Sequence, residues 1–287
     1  MKNKNSLSHR SQEPESSVLY MVGTPIGNLN DLSFRAINIL KNVSLIACED
    51  TRHTKIIMNK FNITNNLISF NKHNSFSKIP KIIKDLKASK SIALVSDAGM
   101  PGICDPGEDI AKAVKLEGFD VICVPGPCAA LTALISSGMP SSSFVFEGFL
   151  PKKKSEREKI ISEISQNEKT TIIFESPHRI KKLLTELSEY CGEEREIEIS
   201  RELTKKFEEH ICSNLKNAIS FFENKEIRGE ITLVIKGTDK KKDLTINESD
   251  LKKELKELIN AGLNLSSASK YLAKKNGVKK SLIYNLH

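Results

Sequence analysis

The stretch SIALVSDAGMPGICDPG, residues 91–107, constrains the fold of this 287-residue chain more than any other segment. It opens on a short apolar run, residues 92–95, that predicts a strand buried in a parallel sheet. Three glycines and two prolines follow, and they specify a shaped backbone because glycine allows positive φ while proline fixes φ. A strand that ends in such a loop and leads into a helix is typical of ligand sites in α/β sheets. A purely structural loop is the alternative.

Loops of small residues also follow two other predicted strands. The strand at residues 18–22 ends in GTPIGNL, and the strand at residues 121–124 ends in PGPCAA. The first of these loops has neither the G-x-G-x-x-G nor the G-x-x-x-x-G-K-[ST] spacing, which argues against a nicotinamide fingerprint and a P-loop. The second opens a helix whose N–H groups could face a carboxylate or another polar group. We therefore expect these loops to meet at one edge of a sheet.

Ionisable side chains follow three further predicted strands. The sequence EDTRH, residues 49–53, follows a strand predicted at residues 43–47; ESPHR, residues 175–179, follows one at residues 171–174; and RELTK, residues 201–205, follows one at residues 196–200. Charged residues at the ends of buried strands indicate a binding or reactive surface. For residues 49–53 a helix N-terminus, which favours acids, is the alternative.

Composition limits the class of protein. No run approaches the ~20 apolar residues that a membrane span needs. The six cysteines show no paired spacing, which argues against a zinc site and a disulfide framework and favours a reducing cytosol. The formal charge is +8, and residues 241–287 contribute ten lysines against five acidic residues. A polyanionic partner is one explanation, and a solvated lysine-rich surface is the other.

The pattern of elements predicts four segments. Residues 1–17 are polar and predict a disordered lead-in, and residues 18–138 and 139–238 each alternate strands with helices as α/β domains do. Residues 244–287 carry apolar stripes at helical spacing and a glycine turn, which predicts a small helical module resembling a helix-turn-helix. A plain three-helix bundle used only for packing fits the same pattern.

Seven ordered motifs carry a resemblance to a known family: TPIGN, EDTRHT, SDAG with DPG, PGPCAA, EGFLP, FES with HR, and RELTK. Together they resemble the small-subunit ribosomal RNA methyltransferases of the tetrapyrrole methylase superfamily, from about Val18 to the C-terminus. The resemblance implies two α/β domains with S-adenosylmethionine between them. It implies methyl transfer to the ribose 2′-oxygen of a cytidine in the decoding region of small-subunit rRNA, carried out by a homodimer. We expect the lysine-rich tail, residues 244–287, to bind that RNA, and its candidate phosphate contacts are Lys270, Lys274, Lys275, Lys279 and Lys280. The cysteine pattern and the lack of long apolar runs predict a cytoplasmic protein with no membrane association.

The positions of the loops and the requirements of methyl transfer indicate candidate site residues. We expect the donor to bind against the small-residue loops and the ESPHR segment: Pro25, Ser96, Asp97, Ala98, Gly99, Pro125, Gly126, Pro127, Cys128 and Ser176. A ribose hydroxyl is a weak nucleophile, so a base or a cation near the developing alkoxide would help. The predicted catalytic residues are Asp50, Arg52, Glu202 and Lys205, with Lys205 closest to the alkoxide. Glu175 is a further candidate base, and Arg52, Arg179 and Arg201 suit phosphates.

Two departures from the superfamily pattern bear on the substrate. The loop at residues 23–28 lacks the aspartate that closes the G-x-G-P-G-D loop of tetrapyrrole methylases, which argues against a tetrapyrrole substrate. Met100 stands where relatives commonly have threonine, so a hydroxyl contact there is lost. A small-molecule methylase and a non-catalytic RNA-binding protein are the competing hypotheses. The sequence leaves open whether free rRNA or an assembled subunit is the substrate.

Overall fold

The structure is a computed structural model that describes residues 13–238, 248–276 and 280–286. The chain divides into two compact units, Met1–Gly237 and Thr238–His287. The larger unit contains two five-stranded sheets, and the smaller contains helices.

The first sheet is parallel throughout. Its strand order is β3-β2-β4-β1-β5, and its strands are β1 (Val18–Val22), β2 (Leu45–Cys48), β3 (Leu67–Ser69), β4 (Ile92–Val95) and β5 (Asp120–Val124). The central strands β1 and β4 are buried along their whole length, as expected of strands covered on both faces. Because all five run the same way, the loops that follow them lie at one edge, as the sequence predicts.

Five helices belong to this half of the unit: α1 (Phe34–Asn42), α2 (Thr51–Phe61), α3 (Ser75–Lys87), α4 (Glu108–Leu116) and α5 (Ala129–Ser137). Local signals explain where they begin. The hydroxyl of Ser33 accepts the Ala36 N–H and caps α1, and the carboxylate of Asp50 accepts the Arg52 N–H and caps α2. Two apolar clusters cover the two faces of the sheet.

The second sheet is mixed, in the order β6-β7-β10-β8-β9. Its strands are β6 (Phe144–Phe149), β7 (Thr170–Glu175), β8 (Glu196–Arg201), β9 (Glu209–Asn214) and β10 (Ile231–Ile235), with helices α6 (Lys154–Gln166), α7 (Ile180–Cys191) and α8 (Leu215–Phe222). Strand β10 runs antiparallel to both β7 and β8. Its first residue, Ile231, therefore pairs with the last residues of those strands, Glu175 and Arg201.

Helix α5 joins the two halves of the larger unit. Its buried residues Ala130, Ala133 and Leu134 pack with Ile172 and Val234 of the second sheet. The side of α5 away from this cluster is also apolar, because Leu131 is 46% and Ile135 78% exposed.

The smaller unit contains α9 (Glu248–Asn260), α10 (Leu265–Asn276) and α11 (Lys280–Tyr284). Leu251, Leu255, Leu272 and Ile283 are among the residues that form its apolar cluster. The predicted helical tail is therefore confirmed. Residues 239–243, which separate the predicted second α/β domain from the predicted tail, lie outside the described residues.

The structure departs from the sequence prediction at three places. Val43, predicted to open β2, instead closes α1, since its N–H donates to the Ile39 carbonyl. Of the predicted lead-in, Glu13 forms an ion pair with Arg35, and Ser17 N–H donates to the Lys90 carbonyl, so these positions are ordered. Residues 1–12 lie outside the described residues. Helices α7 and α8 and strand β9 were not predicted.

Candidate active-site cleft

Three loops of the first sheet form one continuous surface because their backbones bond to each other. Thr24 and Gly99 exchange two N–H···O bonds, of 2.8 and 3.2 Å. Gly23 and Gly126 touch through their backbones, and a Cβ on Gly126 would lie 2.8 Å from the Gly23 Cα. No larger residue fits either position without moving a loop. The small residues in these motifs thus serve the close approach of the loops after β1, β4 and β5.

Buried hydroxyls fix the shape of the loop after β4. The Thr24 hydroxyl lies 3.2 Å from the Ser96 carbonyl oxygen and 3.3 Å from that of Gly99. The Ser96 hydroxyl lies 3.3 Å from the Ala98 carbonyl oxygen, and Ser96 is only 2% exposed. The Ser96 hydroxyl therefore helps to shape the loop.

An inner chamber of about 340 Å³ lies between the loops of the first sheet and the second sheet. This volume falls within the range of small-molecule sites, ~300–1,000 Å³. Its walls combine apolar side chains, loop backbone and a few acids: Ile26, Ala98, Gly99, Met100, Ile103, Cys104, Asp105, Cys128, Ala129, Phe149, Phe174, Glu175, Ser176, Pro177, Gly229, Glu230, Ile231 and Thr232.

Burial affects two carboxylates of the inner chamber, because Glu175 is buried and Asp105 is half-buried. Burial raises the pKa of Asp105 and also that of Glu175. Glu175 accepts the Ser176 N–H at 2.7 Å through one oxygen, while its other oxygen lies 3.2 Å from an Arg179 guanidinium nitrogen without forming a hydrogen bond. These acids give an otherwise apolar chamber an affinity for donor groups and positive charge.

An outer chamber of about 390 Å³ adjoins the inner one. It is more polar, and it is lined by Pro25, Ile26, Gly27, Leu29, His53, Ile56, Ile57, Asp97, Ala98, Lys205 and Glu230. Ile26, Ala98 and Glu230 line both chambers. The two spaces therefore meet at these three residues.

Lys205 supplies the ammonium group of the outer chamber. Its Nζ donates to Glu202 at 2.9 Å and to Glu230 at 3.0 Å. Burial alone would lower the pKa of Lys205, but the two carboxylates outweigh it, so this pKa lies above its ordinary value. Lys205 is thus an ammonium at neutral pH and cannot act as a general base. Glu202 also accepts the Glu230 N–H at 2.9 Å, which fixes it beneath Lys205.

Asp50 and Arg52 lie at the rim of the cleft rather than on the walls of either chamber. The Arg52 guanidinium, which is 87% exposed, forms a bidentate pair with Asp50 and holds the pKa of that carboxyl at about 2. The Asp50 N–H donates to Asp97, whose other oxygen lies 3.1 Å from His53 Nδ1. Asp50 therefore caps helix α2, as the alternative interpretation of residues 49–53 predicts.

The predicted donor-binding residues divide into three groups. Ala98, Gly99, Cys128 and Ser176 line the inner chamber, and Pro25, Asp97 and Ala98 line the outer one. The remaining four are not among the lining residues: Ser96, Pro125, Gly126 and Pro127. Of the predicted catalytic residues, only Lys205 lines a chamber, with Glu202 bonded to it. The binding and catalytic roles themselves remain predictions.

Sequence reasoning missed Gly229 and Glu230, which precede a strand instead of following one. They reach the cleft because β10 is antiparallel to its neighbours. The inner chamber is also lined by Ile26, Cys104 and Phe149. These three residues lie within the sequence motifs given above, so the motifs could have identified them. Met100, the noted departure, faces the inner chamber, and a Cβ on Gly23 would lie 2.6 Å from its sulfur.

Comparison with known proteins identifies the family. Residues 18–219 match the family model of the tetrapyrrole (corrin/porphyrin) methylases. Over 269 residues the chain is 41% identical to the ribosomal RNA small subunit methyltransferase I of Synechocystis sp., covering 94% of this chain and 96% of that one. The chain belongs to the tetrapyrrole methylase family. The ribosomal RNA small subunit methyltransferase I of Bacillus subtilis is 40% identical over 280 residues, which cover 95% of this chain and 94% of that one.

A solved structure supports the fold of this family member. The uroporphyrin-III C-methyltransferase of Thermus thermophilus, complexed with S-adenosylhomocysteine, aligns over 76% of this chain and 96% of its own with a TM-score of 0.54 at 12% identity. The predicted fold class and the predicted class of enzyme, an S-adenosylmethionine-dependent methyltransferase, are confirmed. Within the described ranges, no cluster of His, Cys, Asp and Glu could hold a metal ion, and no helix is long and apolar enough to cross a membrane.

Proposed function

We propose that this protein transfers a methyl group from S-adenosylmethionine to the ribose 2′-oxygen of a cytidine in the decoding region of small-subunit rRNA. The observation that carries the proposal is the pair of chambers that meet at Ile26, Ala98 and Glu230. One chamber suits a small donor, and the other is polar and more open. The names of the relatives supply the class of acceptor.

The residues of the inner chamber fit S-adenosylmethionine. The donor supplies a methyl group on a positively charged sulfonium, together with an ammonium group, a ribose and an adenine. Asp105 and Glu175 offer carboxylates to positive charge and to hydroxyls, while Ala98, Gly99 and Cys128 offer a close-fitting apolar and backbone surface. A Cβ on Gly99 would come within 3.4 Å of Ile26 Cγ2, and Gly99 has φ of +78°, so only glycine serves there without strain.

Lys205 is the group of the outer chamber best placed to act on the acceptor. A ribose hydroxyl that gives up its proton as it attacks develops negative charge on its oxygen, and a fixed ammonium stabilises that charge. Glu202 and Glu230 hold Lys205 in one position, which is the condition for preorganised stabilisation. Because Glu230 lies where the chambers meet, its carboxylate is available to accept the hydroxyl proton.

The active form in this proposal is a homodimer. Helix α5 packs one apolar face inside the unit and exposes Leu131 and Ile135 on the other. A helix that is apolar on both sides is usually buried on both. A second copy of this chain is the occupant we propose for the exposed face, and a cytoplasmic location follows from the rRNA substrate.

The experiment uses small ribosomal subunits from a strain that lacks this methylation. Purified protein is incubated with labelled S-adenosylmethionine and, in parallel, with assembled subunits, free small-subunit rRNA or uroporphyrinogen. We expect label in RNA, at a single cytidine whose 3′-phosphodiester resists alkaline cleavage because its 2′-hydroxyl is methylated. The two RNA samples decide which form is the substrate. Label in the tetrapyrrole would refute the proposal, and label in none of the samples would favour a non-catalytic RNA-binding protein.

A further inference from the structure

The turn that carries Lys205, residues 202–208, touches the first half of the unit. Thr204 Oγ1 accepts the Asn28 N–H at 3.0 Å. A Cβ on Gly27 would overlap the Lys205 side chain, so loop and turn are in direct contact. Glu202 and Thr204 have φ of 53° and 65°, a region that residues other than glycine rarely adopt. Contacts from outside the turn must therefore hold this conformation.

His210, in strand β9, provides such a contact. Its Nε2 lies 2.9 Å from Glu208 Oε1, and the other oxygen of Glu208 accepts the Thr204 N–H at 2.9 Å. Its Nδ1 lies 3.1 Å from Glu198 Oε1, on the neighbouring strand β8. The side chain of Glu198 is only 4% exposed. A chain of contacts thus runs from a buried carboxylate through the imidazole to the turn and on to Asn28.

Both nitrogens of His210 face a carboxylate oxygen, and the Ser200 hydroxyl also lies 3.3 Å from Nδ1. A neutral imidazole has one N–H, so one of the two carboxylates would face a lone pair, whereas an imidazolium satisfies both. The hydrogen bond to Glu208 raises the pKa of His210, and Glu198 adds to this effect against burial. These two carboxylates are the charged groups that contact the imidazole within the described structure. The hydroxyls of Ser136 and Ser200 complete the shell around Glu198, at 3.2 and 3.1 Å.

We propose that His210 is a positioning residue for methyl transfer: its imidazolium, bound between Glu198 and Glu208, fixes the turn of residues 202–208 and so sets where Lys205 lies in the outer chamber. The inference rests on the proposed function, since Lys205 acts there on the acceptor. His210 itself lines neither chamber. Loss of the His210 imidazole should therefore lower turnover and leave donor affinity unchanged.

The proposal has a definite pH dependence. Because the pKa of His210 is raised on folding, the imidazolium stabilises the fold fully below the ordinary histidine pKa near 6.5, and this contribution is lost as pH rises through the raised value. Turnover of the wild-type enzyme should fall over the same window, while Lys205, whose pKa is also raised, stays charged.

The test compares His210→Gln with the wild type, using labelled S-adenosylmethionine and small-subunit rRNA from about pH 5.5 to 9. The glutamine amide can still donate to Glu208 but carries no charge. We expect turnover near pH 6 to drop several-fold, the fall at higher pH to disappear, and the KM for the donor to stay constant. Thr204→Val, which removes the contact to Asn28, should reproduce the loss of turnover and retain the pH dependence. His73→Gln, at an exposed histidine outside this network, is the matched control.

Thermal unfolding over the same pH range gives a readout that needs no RNA. The wild type should be more stable than His210→Gln at low pH, and the difference should shrink as pH rises. Equal pH dependence of the two proteins, or wild-type turnover in His210→Gln, would overturn the inference. So would a loss of donor affinity that matches the loss of turnover, because the role would then be structural only. A wild-type protein that leaves small-subunit rRNA unlabelled, both free and in assembled subunits, would instead refute the proposed function, and the positioning role with it.

Discussion

The two sheets contribute to the cleft in different ways. The first sheet offers shaped backbone and small apolar residues, such as Ala98, Gly99 and Cys128, from loops that bond to each other. The second sheet contributes charged side chains, Glu175, Lys205 and Glu230. The difference indicates that the fold separates two tasks. In the proposed mechanism the loops of the first sheet hold much of the donor by shape. Lys205 and Glu230 of the second sheet act on the acceptor, while Glu175 lies on the donor side.

The direction of the strands explains how each sheet delivers its residues. All strands of the first sheet are parallel, so each one places the loop that follows it at the same edge. In the second sheet, β10 is antiparallel to β7 and β8, so the edge that faces the cleft combines two strand ends with one strand start. Charges from separate parts of the chain, Glu202, Lys205 and Glu230, thereby form one network.

The largest effect is expected at Lys205. Lys205→Ala should lower turnover at saturating RNA by at least about 100-fold, the scale of losing one preorganised donor to a developing oxyanion. Donor affinity should stay within about twofold, because Lys205 lies outside the inner chamber. Single-turnover kinetics together with calorimetric titration of S-adenosylhomocysteine give both numbers. If Lys205→Ala kept wild-type turnover, Lys205 of the second sheet would not be the group that acts on the acceptor.

Removal of the helical unit should weaken RNA binding without touching the chemistry. A chain ending at Gly237 loses lysines that include Lys270 and Lys280, which are exposed; the side chains of the predicted contacts Lys274, Lys275 and Lys279 lie outside the described residues. If about four lysines contact phosphates, the slope of log affinity against log salt should lose a term of roughly −3. Filter binding at several salt concentrations measures it. An unchanged slope with a lower melting temperature or a broken dimer would show that the helices serve packing.

Gly126→Ala tests the role of the first sheet. Its methyl group would press on Gly23, and such overpacking costs about 1–3 kcal/mol. Because the displaced loops form the inner chamber, we expect donor affinity to fall by about tenfold, measured by calorimetry. Gly118→Ala is the control, since Gly118 has φ of +81° but nothing within 4 Å of the added Cβ. That variant should lose stability and keep donor affinity, and equal donor affinity in both variants would contradict the assignment.

The smallest effect is expected at the rim. Asp50→Asn and Arg52→Ala should each reduce turnover several-fold at limiting RNA and leave donor affinity unchanged, because these residues lie outside both chambers. Since the pKa of Asp50 is about 2, the carboxylate is charged throughout the assay range and the effect should not vary with pH. Arg35→Ala, which breaks a comparable pair with Glu13, serves as the control. A larger loss of donor affinity than of turnover would place these residues on the donor side.

The same contrast explains how far sequence reasoning reached. In the first sheet, glycines and prolines after apolar runs marked the edge of the sheet, because parallel strands deliver their following loops together. In the second sheet, Gly229 and Glu230 belong to no motif, and only the pairing of Ile231 with Glu175 and Arg201 brings them to the cleft. The local periodicity of a sequence does not reveal which distant strands pair.

Residue roles were harder to predict than residue locations. Small residues in a loop can line a ligand or allow two loops to touch, and the sequence does not distinguish these uses. Gly126 serves the second purpose, and Ser96 binds backbone carbonyls within its own loop. His210 shows the reverse case, because its two carboxylate partners come from β8 and from the turn, at spacings that match no motif.

A crystal structure with S-adenosylhomocysteine tests the central claim most directly. We expect the product to lie in the inner chamber against Ala98, Gly99, Cys128 and Ser176, with its sulfur directed toward Ile26, Ala98 and Glu230, which line both chambers. Lys205 should remain bonded to Glu202 and make no contact with the product. A product molecule in the outer chamber, in contact with Lys205, would contradict the separation of donor and acceptor between the two chambers.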